Sequence, residues 1–346
     1  MQRILVFHVG SIGDTILALP ALHMIRHNFP SVEIHLFNSA LIPNFIHHRL
    51  YDNMNLFQKM MFIPTVGNFF QKTMIRLKII FLLFAGHYDA VFYLSYAPRR
   101  NDLILFRLLG IKTIYNCCKI SSFPEIPLYK IFLKSLDGYG LRRPVTFLDF
   151  HFSNDEIMNA NTAFAKLDIP SDTKPFAVGI GGKQEACHWS IEKYRKLLKH
   201  ITSEYQLLPI YIGGNDDRSD ANVLIQECGG YFLADSKLSL RETILFLQKC
   251  AFYVGNHTGG MHLAASSHIP CIGIFTARNK FRFWEPFGND NIILREKIDC
   301  EGCDLTVCPF GNPSKCIDMI SVDDVLLNLE KIIKKEKISP KIFDAL

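Results

Sequence analysis

A chain of 346 residues is long for one domain, and 49% hydrophobic residues can fill two cores of roughly 150–180 residues each. The net charge of +5 sits in the first half, residues 1–172, while residues 173–346 balance to zero. With no arginine-rich run and no aromatic-plus-basic repeat, that basicity argues against a nucleic-acid groove and suits an anionic substrate or an anionic membrane surface. A signal peptide is not expected, because Gln2-Arg3 leads at once into strand-like Ile4-Leu5-Val6-Phe7 and Asp14 breaks the apolar character. The longest greasy run, Ile79 to Ala85, falls far short of the roughly 20 residues a span needs. A soluble cytoplasmic protein is the expectation. Cys117, Cys118, Cys187, Cys228, Cys250 and Cys271 lie scattered in core-like segments and read as reduced, small apolar residues.

In chain order, Arg3 to Val9 predicts a strand, Gly10-Ser11-Ile12-Gly13-Asp14 a tight turn, and Thr15 to Phe29 a helix ended by Pro30. Val32 to Phe37 alternates as a second strand, so the chain opens with a βαβ unit and hence a parallel sheet. Phe69 to Ala85 predicts a helix bearing Arg76 and Lys78, either a domain-surface helix or an interfacial one. Tyr88 to Leu94 predicts a strand, Arg99 to Leu109 a helix with Gly110 at its C-cap, and Lys112 to Asn116 a strand. The polar stretch Ser153 to Pro175 predicts a linker. A second α/β series follows, with strands at Phe176–Ile180, Leu207–Ile212, Phe252–Val254 and Cys271–Phe275. Its helices are expected at Ser190–Glu204, Asp217–Cys228, Ser239–Lys249, Thr258–Ser266 and Ser321–Lys335. Ser321 is placed to cap the last, with Asp323 and Asp324 in its first turn.

Val254 to Ala265, reading Val-Gly-Asn-His-Thr-Gly-Gly-Met-His-Leu-Ala-Ala, is the most informative stretch: strand, glycine turn, then helix with Thr258 at its start. A helix N-terminus with unpaired N–H groups suits a diphosphate, although an ordinary β–α connection has the same outline. Two further glycine turns, Gly179-Ile180-Gly181-Gly182-Lys183 and Gly213-Gly214-Asn215-Asp216-Asp217, also follow strands. Together with Lys183, His188, His257 and His262 they suggest a nucleotide-diphosphate pocket on the rim where α/β proteins bind ligands. No P-loop is present, and the first turn is G-x-x-G-D rather than a dinucleotide fingerprint, which disfavours ATP hydrolysis and a nicotinamide cofactor. Asp14 is then either a helix cap or a general base at the end of the first strand. Cys300-x2-Cys303, Cys308 and Cys316 form a cluster open to three readings: structural zinc, a reduced core or a redox-sensitive pair.

In order, Arg3-Ile4-Leu5-Val6, Gly10 to Thr15, Leu19-Pro20-Ala21-Leu22, Tyr88-Asp89-Ala90-Val91, His188-Trp189 with Tyr194, Asn256 to Ala264, and Cys316-Ile317-Asp318-Met319-Ile320 resemble the family 9 glycosyltransferases. These are the bacterial ADP-heptose:lipopolysaccharide heptosyltransferases. The resemblance implies an α/β chain of the GT-B fold, two Rossmann-like doubly wound domains facing across a cleft. Residues 1–165 would bind acceptor, residues 173–335 the nucleotide-sugar, and 336–346 form a tail. It further implies inverting, metal-independent transfer, with Asp14 as general base and Ser11 and Gly13 on the acceptor side. The donor, ADP-heptose in the family, would meet Gly182, Lys183, His188, Gly214, Asp217, His257, Thr258, Gly259 and His262. The acceptor would be an anionic lipid-linked oligosaccharide, reached by peripheral contact at the cytoplasmic face of the inner membrane. Two positions depart from the family pattern: His257 stands where an Asp is usual, and Cys187 where a Lys is usual. Rival readings are a nucleotide-sugar epimerase on the same fold, which needs further acids around the donor cleft, and a catalytically inactive nucleotide-sugar-binding protein.

Overall fold

The computed structural model describes residues 1–40, 47–64, 69–95, 99–117, 125–145 and 150–336; Cys118 and most of the expected tail lie outside them. The chain divides into two units, Met1–His151 and Phe152–Leu346.

The first unit runs β1 (Arg3–Val9), α1 (Ile12–Asn28), β2 (Glu33–Ala40), a 3-10 turn at His47–Tyr51, and β3 (Lys59–Pro64). It continues with α2 (Phe69–Ala85), β4 (Ala90–Leu94), α3 (Arg100–Leu108), β5 (Thr113–Asn116) and α4 (Leu128–Gly138). All pairings are parallel, in the order β3-β2-β1-β4-β5, with Leu5 opposite His35 on one side and Val91 on the other. Helices on the faces explain why β1 and β4 are continuous apolar runs rather than alternating ones. On one face Leu5, Phe7, Val91 and Tyr93 pack with Leu83 of α2 and Phe106 of α3. Strand order reverses between β1 and β4, so the turn after β1 lies at the sheet's switch point, where doubly wound folds bind ligands.

The second unit begins at Phe152 and takes in the whole stretch predicted to be a linker. Asn154–Ala165 is a helix, α5. The polarity that suggested a linker is used for capping and ion pairing. The Glu156 amide donates to Ser153 Oγ at 3.2 Å, and the Glu156 carboxylate accepts from the Ser153 amide at 2.8 Å. It also accepts from buried Arg241 at 2.5 Å. The boundary between units therefore falls before α5 rather than near 165. The unit continues β6 (Lys174–Gly179), α6 (Ile191–Glu204), β7 (Leu207–Ile212), α7 (Arg218–Cys228), β8 (Tyr231–Phe232), α8 (Leu240–Leu247) and β9 (Tyr253–Asn256). Then come α9 (Gly259–Ser266), β10 (Cys271–Phe275), β11 (Ile292–Arg295), α10 (Lys315–Asp318) and α11 (Val322–Lys335). Six parallel strands lie in the order β11-β10-β9-β6-β7-β8, and the order reverses between β6 and β9. Ser321 caps α11 as expected, accepting from the Asp324 amide at 3.1 Å.

Candidate donor and acceptor sites

In the second unit the turns after β6, β7 and β9 converge, and glycines make the convergence sterically feasible. A Cβ on Gly181 would lie 2.0 Å from Asp217 Cγ, and one on Gly213 would lie 2.6 Å from Asp217 Oδ2. The Asp217 carboxylate thus fills room that glycines on two neighbouring strand ends leave open, and it accepts from the Gly214 amide at 2.7 Å. A Cβ on Gly182 would come within 2.9 Å of Thr258 Cγ2 and 3.4 Å of His188 Nε2. His188 Nε2 lies 2.7 Å from the Gly182 carbonyl oxygen, an acceptor only, so that nitrogen carries a proton and donates there. Gly182, His188, Gly214, Asp217 and Thr258 therefore stand around one stretch of strand ends, and Gly259 follows Thr258 as the first residue of α9. Lys183 follows directly in the same turn and is exposed. Thr258 occupies the N-cap position of α9, but its side chain makes no bond to the helix amides; its carbonyl accepts from Met261 at 3.1 Å.

Asn256, which opens the Asn256 to Ala264 motif but is not among the expected site residues, holds these turns together. Its Oδ1 accepts from the Trp189 amide and the Tyr194 hydroxyl, each at 3.0 Å. Its Nδ2 donates to the carbonyls of Ile180 at 2.7 Å and Gly181 at 3.3 Å. The side chain is fully buried and all four hydrogen-bonding sites are used, so the β6 turn, the 188–194 segment and the β9 turn are one hydrogen-bonded body. The signal in the sequence was an amide ending an otherwise apolar strand, a polar group that has to be paired once buried. Arg278 is a second such residue, 5% exposed, donating to Gln184 and to the carbonyls of Leu305 at 2.6 Å and Asp304 at 2.8 Å.

The two departures from the family pattern touch each other. Cys187 Sγ lies 3.8 Å from His257 Nε2, and the His257 ring stacks on Phe275 with centroids 4.5 Å apart. Burial pushes the His257 pKa down to about 4, Arg278 adding to this against a hydrogen bond the ring makes to Asn279, while burial pushes the Cys187 thiol up. The pair is neutral at pH 7 and brings no charge to the glycine turns. His262, one turn into α9, is buried rather than on the rim, and burial takes its pKa down to about 3.

In the first unit Asp14 lies in the first turn of α1, 7% exposed. Its Oδ2 accepts from the Ser11 amide at 2.6 Å and the Ser11 hydroxyl at 2.8 Å. A Cβ on Gly10 would sit 2.2 Å from Asp14 Cβ, so only glycine lets the carboxylate fold back over the turn. The capping role is thus present, and it also fixes the carboxylate's direction. Gly13 is buried in the same turn.

Cys300, Cys303, Cys308 and Cys316 line a single cavity with Ala186 and Arg278. None of the nine described cysteines is in a disulfide. Cys308 titrates below its ordinary value: partial burial opposes this, but bonds from the amides of Phe310 and Lys315 and from the Ser314 hydroxyl outweigh it. Among the described residues no three His, Cys, Asp or Glu side chains are gathered as metal ligands. Among the same residues no helix is long and apolar enough to cross a membrane.

Two α/β units, each built on a parallel sheet, are the make-up of the GT-B class of glycosyltransferase fold, to which the similar solved structures below belong. Residues 131–313 match the model of glycosyltransferase family 9 (heptosyltransferase), and the chain belongs to that family. It is 25% identical over 206 residues to lipopolysaccharide heptosyltransferase 1 of Campylobacter coli, an alignment spanning 58% of each chain. Its fold is similar to that of a family 9 glycosyl transferase from Veillonella parvula, with a TM-score of 0.74 at 15% identity over 96% of this chain and 98% of the other. The ADP-heptose lps heptosyltransferase II of E. coli is similar with a TM-score of 0.69 at 14% identity, over 97% of this chain and all of the other.

Proposed function

We propose that this protein is an inverting glycosyltransferase that moves heptose from ADP-heptose to a lipopolysaccharide or related anionic glycolipid, without a catalytic metal. The observation that carries the reading is the gathering of Gly181, Gly182, Gly213, Asp217 and Thr258 at the switch point of the second sheet. A diphosphate suits that place, since glycine turns admit its oxygens and the N-terminus of α9 offers partial positive charge. Its donor and acceptor are also in keeping with the substrates that the names of its Campylobacter and E. coli relatives carry. In the reaction Asp14 takes the proton of the acceptor hydroxyl, whose oxygen attacks C1 of the sugar. The bond from C1 to the diphosphate oxygen breaks on the opposite face, which inverts the anomeric centre and releases the nucleoside diphosphate. The amides at the start of α9 and exposed Lys183 stabilise the charge that develops on the leaving group. The acceptor is carried at the cytoplasmic face of the inner membrane, which the protein reaches from the side.

A panel of ADP-, GDP-, UDP- and dTDP-sugars tests the donor. Ligand at about 100 times its Kd raises stability by about 2.7 kcal/mol, so ADP-heptose should give the largest rise in Tm. A flat response to all four sinks the donor assignment. Metal analysis of protein purified without chelators decides the cysteine cluster separately: about one equivalent per chain supports a structural metal, and a content near zero removes it.

A further inference from the structure

Helix α2 has two apolar faces. Ile75, Ile79, Leu82 and Leu83 turn inward onto the core of the first unit. Phe70, Met74, Leu77, Phe81 and Phe84 turn outward, with exposures of 72%, 52%, 56%, 68% and 60%. Their 4-3-4-3 spacing places them on one stripe about 21 Å long. Isolated exposed apolar residues are ordinary, but a continuous stripe of three aromatics and two aliphatics marks a surface that is covered in use. The charges say by what. Residues 69–85 contain no acid, and Arg76 and Lys78 are exposed beside the stripe. On the same face of the sheet α3 adds exposed Leu108 and Ile104 together with exposed Arg100 and Arg107. The first unit carries 16 Lys and Arg against 8 Asp and Glu, whereas the second carries 22 against 25. A second copy docked through this stripe about a two-fold axis would set these cations against their own images. An anionic bilayer accepts both features, the apolar stripe at the acyl boundary and the cations among the phosphates.

We propose that α2 is an interfacial anchor that lies flat in an anionic membrane surface, with Phe70, Met74, Leu77, Phe81 and Phe84 inserted. The inference rests on the proposed function for its purpose, access to a membrane-borne acceptor, and on α2 itself for the binding. Sedimentation of the full chain with phosphatidylglycerol/phosphatidylethanolamine vesicles, against neutral phosphatidylcholine vesicles, tests it. The expected result is salt-sensitive binding to the anionic vesicles alone, weakened about tenfold or more in Arg76→Glu/Lys78→Glu and in Phe81→Ser/Phe84→Ser. The Tm rise with ADP-heptose should be the same in both variants as in the parent. All these side chains are exposed, so the variants should fold; if the serine variant does not, the charge reversal alone carries the test. Absence of binding to anionic vesicles overturns the proposal, as does undiminished binding by a folded variant. A dimer in solution that the serine variant converts to monomer also overturns it, in favour of a second copy as occupant. Vesicle binding without any donor-induced Tm rise leaves the anchor standing and removes the donor assignment instead.

Discussion

The turn after β1 and the turn after β7 follow one plan in the two units. Each reads Gly-x-x-x-Asp, and in each the carboxylate reaches back to the amide three residues earlier, Ser11 at 2.6 Å and Gly214 at 2.7 Å. In each the glycine four residues earlier has no room for a Cβ. The surroundings differ. Asp14 is buried, takes a second bond from the Ser11 hydroxyl and leads straight into the 17-residue α1. Asp217 is half-buried, ends a short 3-10 turn and occupies the space that Gly181 leaves on the neighbouring β6 turn. The shared capping bond therefore assigns no role, because both turns have it. The environments fit the two proposed roles differently: a held, buried carboxylate suits the proposed base, and one shared between two glycine turns suits the proposed shaping of a ligand pocket.

Asp14→Asn should separate the two most strongly. The amide can still accept from Ser11 but cannot take a proton, so turnover should fall by about 100- to 10,000-fold with little change in Tm. Turnover within a few-fold of the parent would leave Asp14 as a cap only. Gly10→Ala comes next, because its new Cβ meets Asp14 Cβ and Cγ at 2.2 and 2.6 Å, near the backbone, where the side chain cannot swing away. A loss of about 1–3 kcal/mol in denaturant unfolding is expected. Gly213→Ala should cost less, since its nearest contact is the movable Oδ2 of Asp217 at 2.6 Å; equal losses would contradict the distinction. For Asp217→Asn, the donor KM should rise by about tenfold while kcat stays near the parent value, as removal of ground-state binding requires.

The smallest effect concerns pH. The folded pKa of His262 is depressed to about 3 against an unfolded value near 6.5. From about pH 6.5 downward the unfolded chain takes up a proton that the buried ring refuses. The contribution is thus complete above pH 6.5 and shrinks on acidification, by at most about 1.4 kcal/mol per pH unit. His262→Leu should flatten the fall of Tm between pH 6.5 and 4.5 and leave pH 7.5 almost unchanged. An acid limb as steep as the parent's would remove His262 as its source.

Much of this was legible in the sequence, for reasons that particular residues make plain. β1 and β7 matched to the residue because a strand buried on both faces is a continuous apolar run between turn signals. The limits of α2 and the glycine turns also read directly. What escaped was structure whose cause lies elsewhere in the chain. β3, β8 and β11 are edge or near-edge strands held by pairing rather than by their own pattern. α4 was passed over although Leu128, Ile131, Phe132 and Leu136 are buried at helical spacing. α5 was hidden by polar residues whose partners, Arg241 among them, come some 85 residues later. α1 starts at Ile12 rather than Thr15 because Ser11 and Asp14 cap it together. At the site, spacing identified the glycine turns, but not that Asn256 ties them together or that Cys187 meets His257. Both are contacts across 70 or more residues, and no local pattern encodes them.

The proposed function gives Asp14 the chemical step and no part of donor binding. The most direct measurement is the ADP-heptose Kd of Asp14→Asn, taken by titration calorimetry beside its turnover number. An unchanged Kd with turnover lost is the predicted result. A Kd weakened in step with turnover would contradict it and make Asp14 part of the binding site rather than the base.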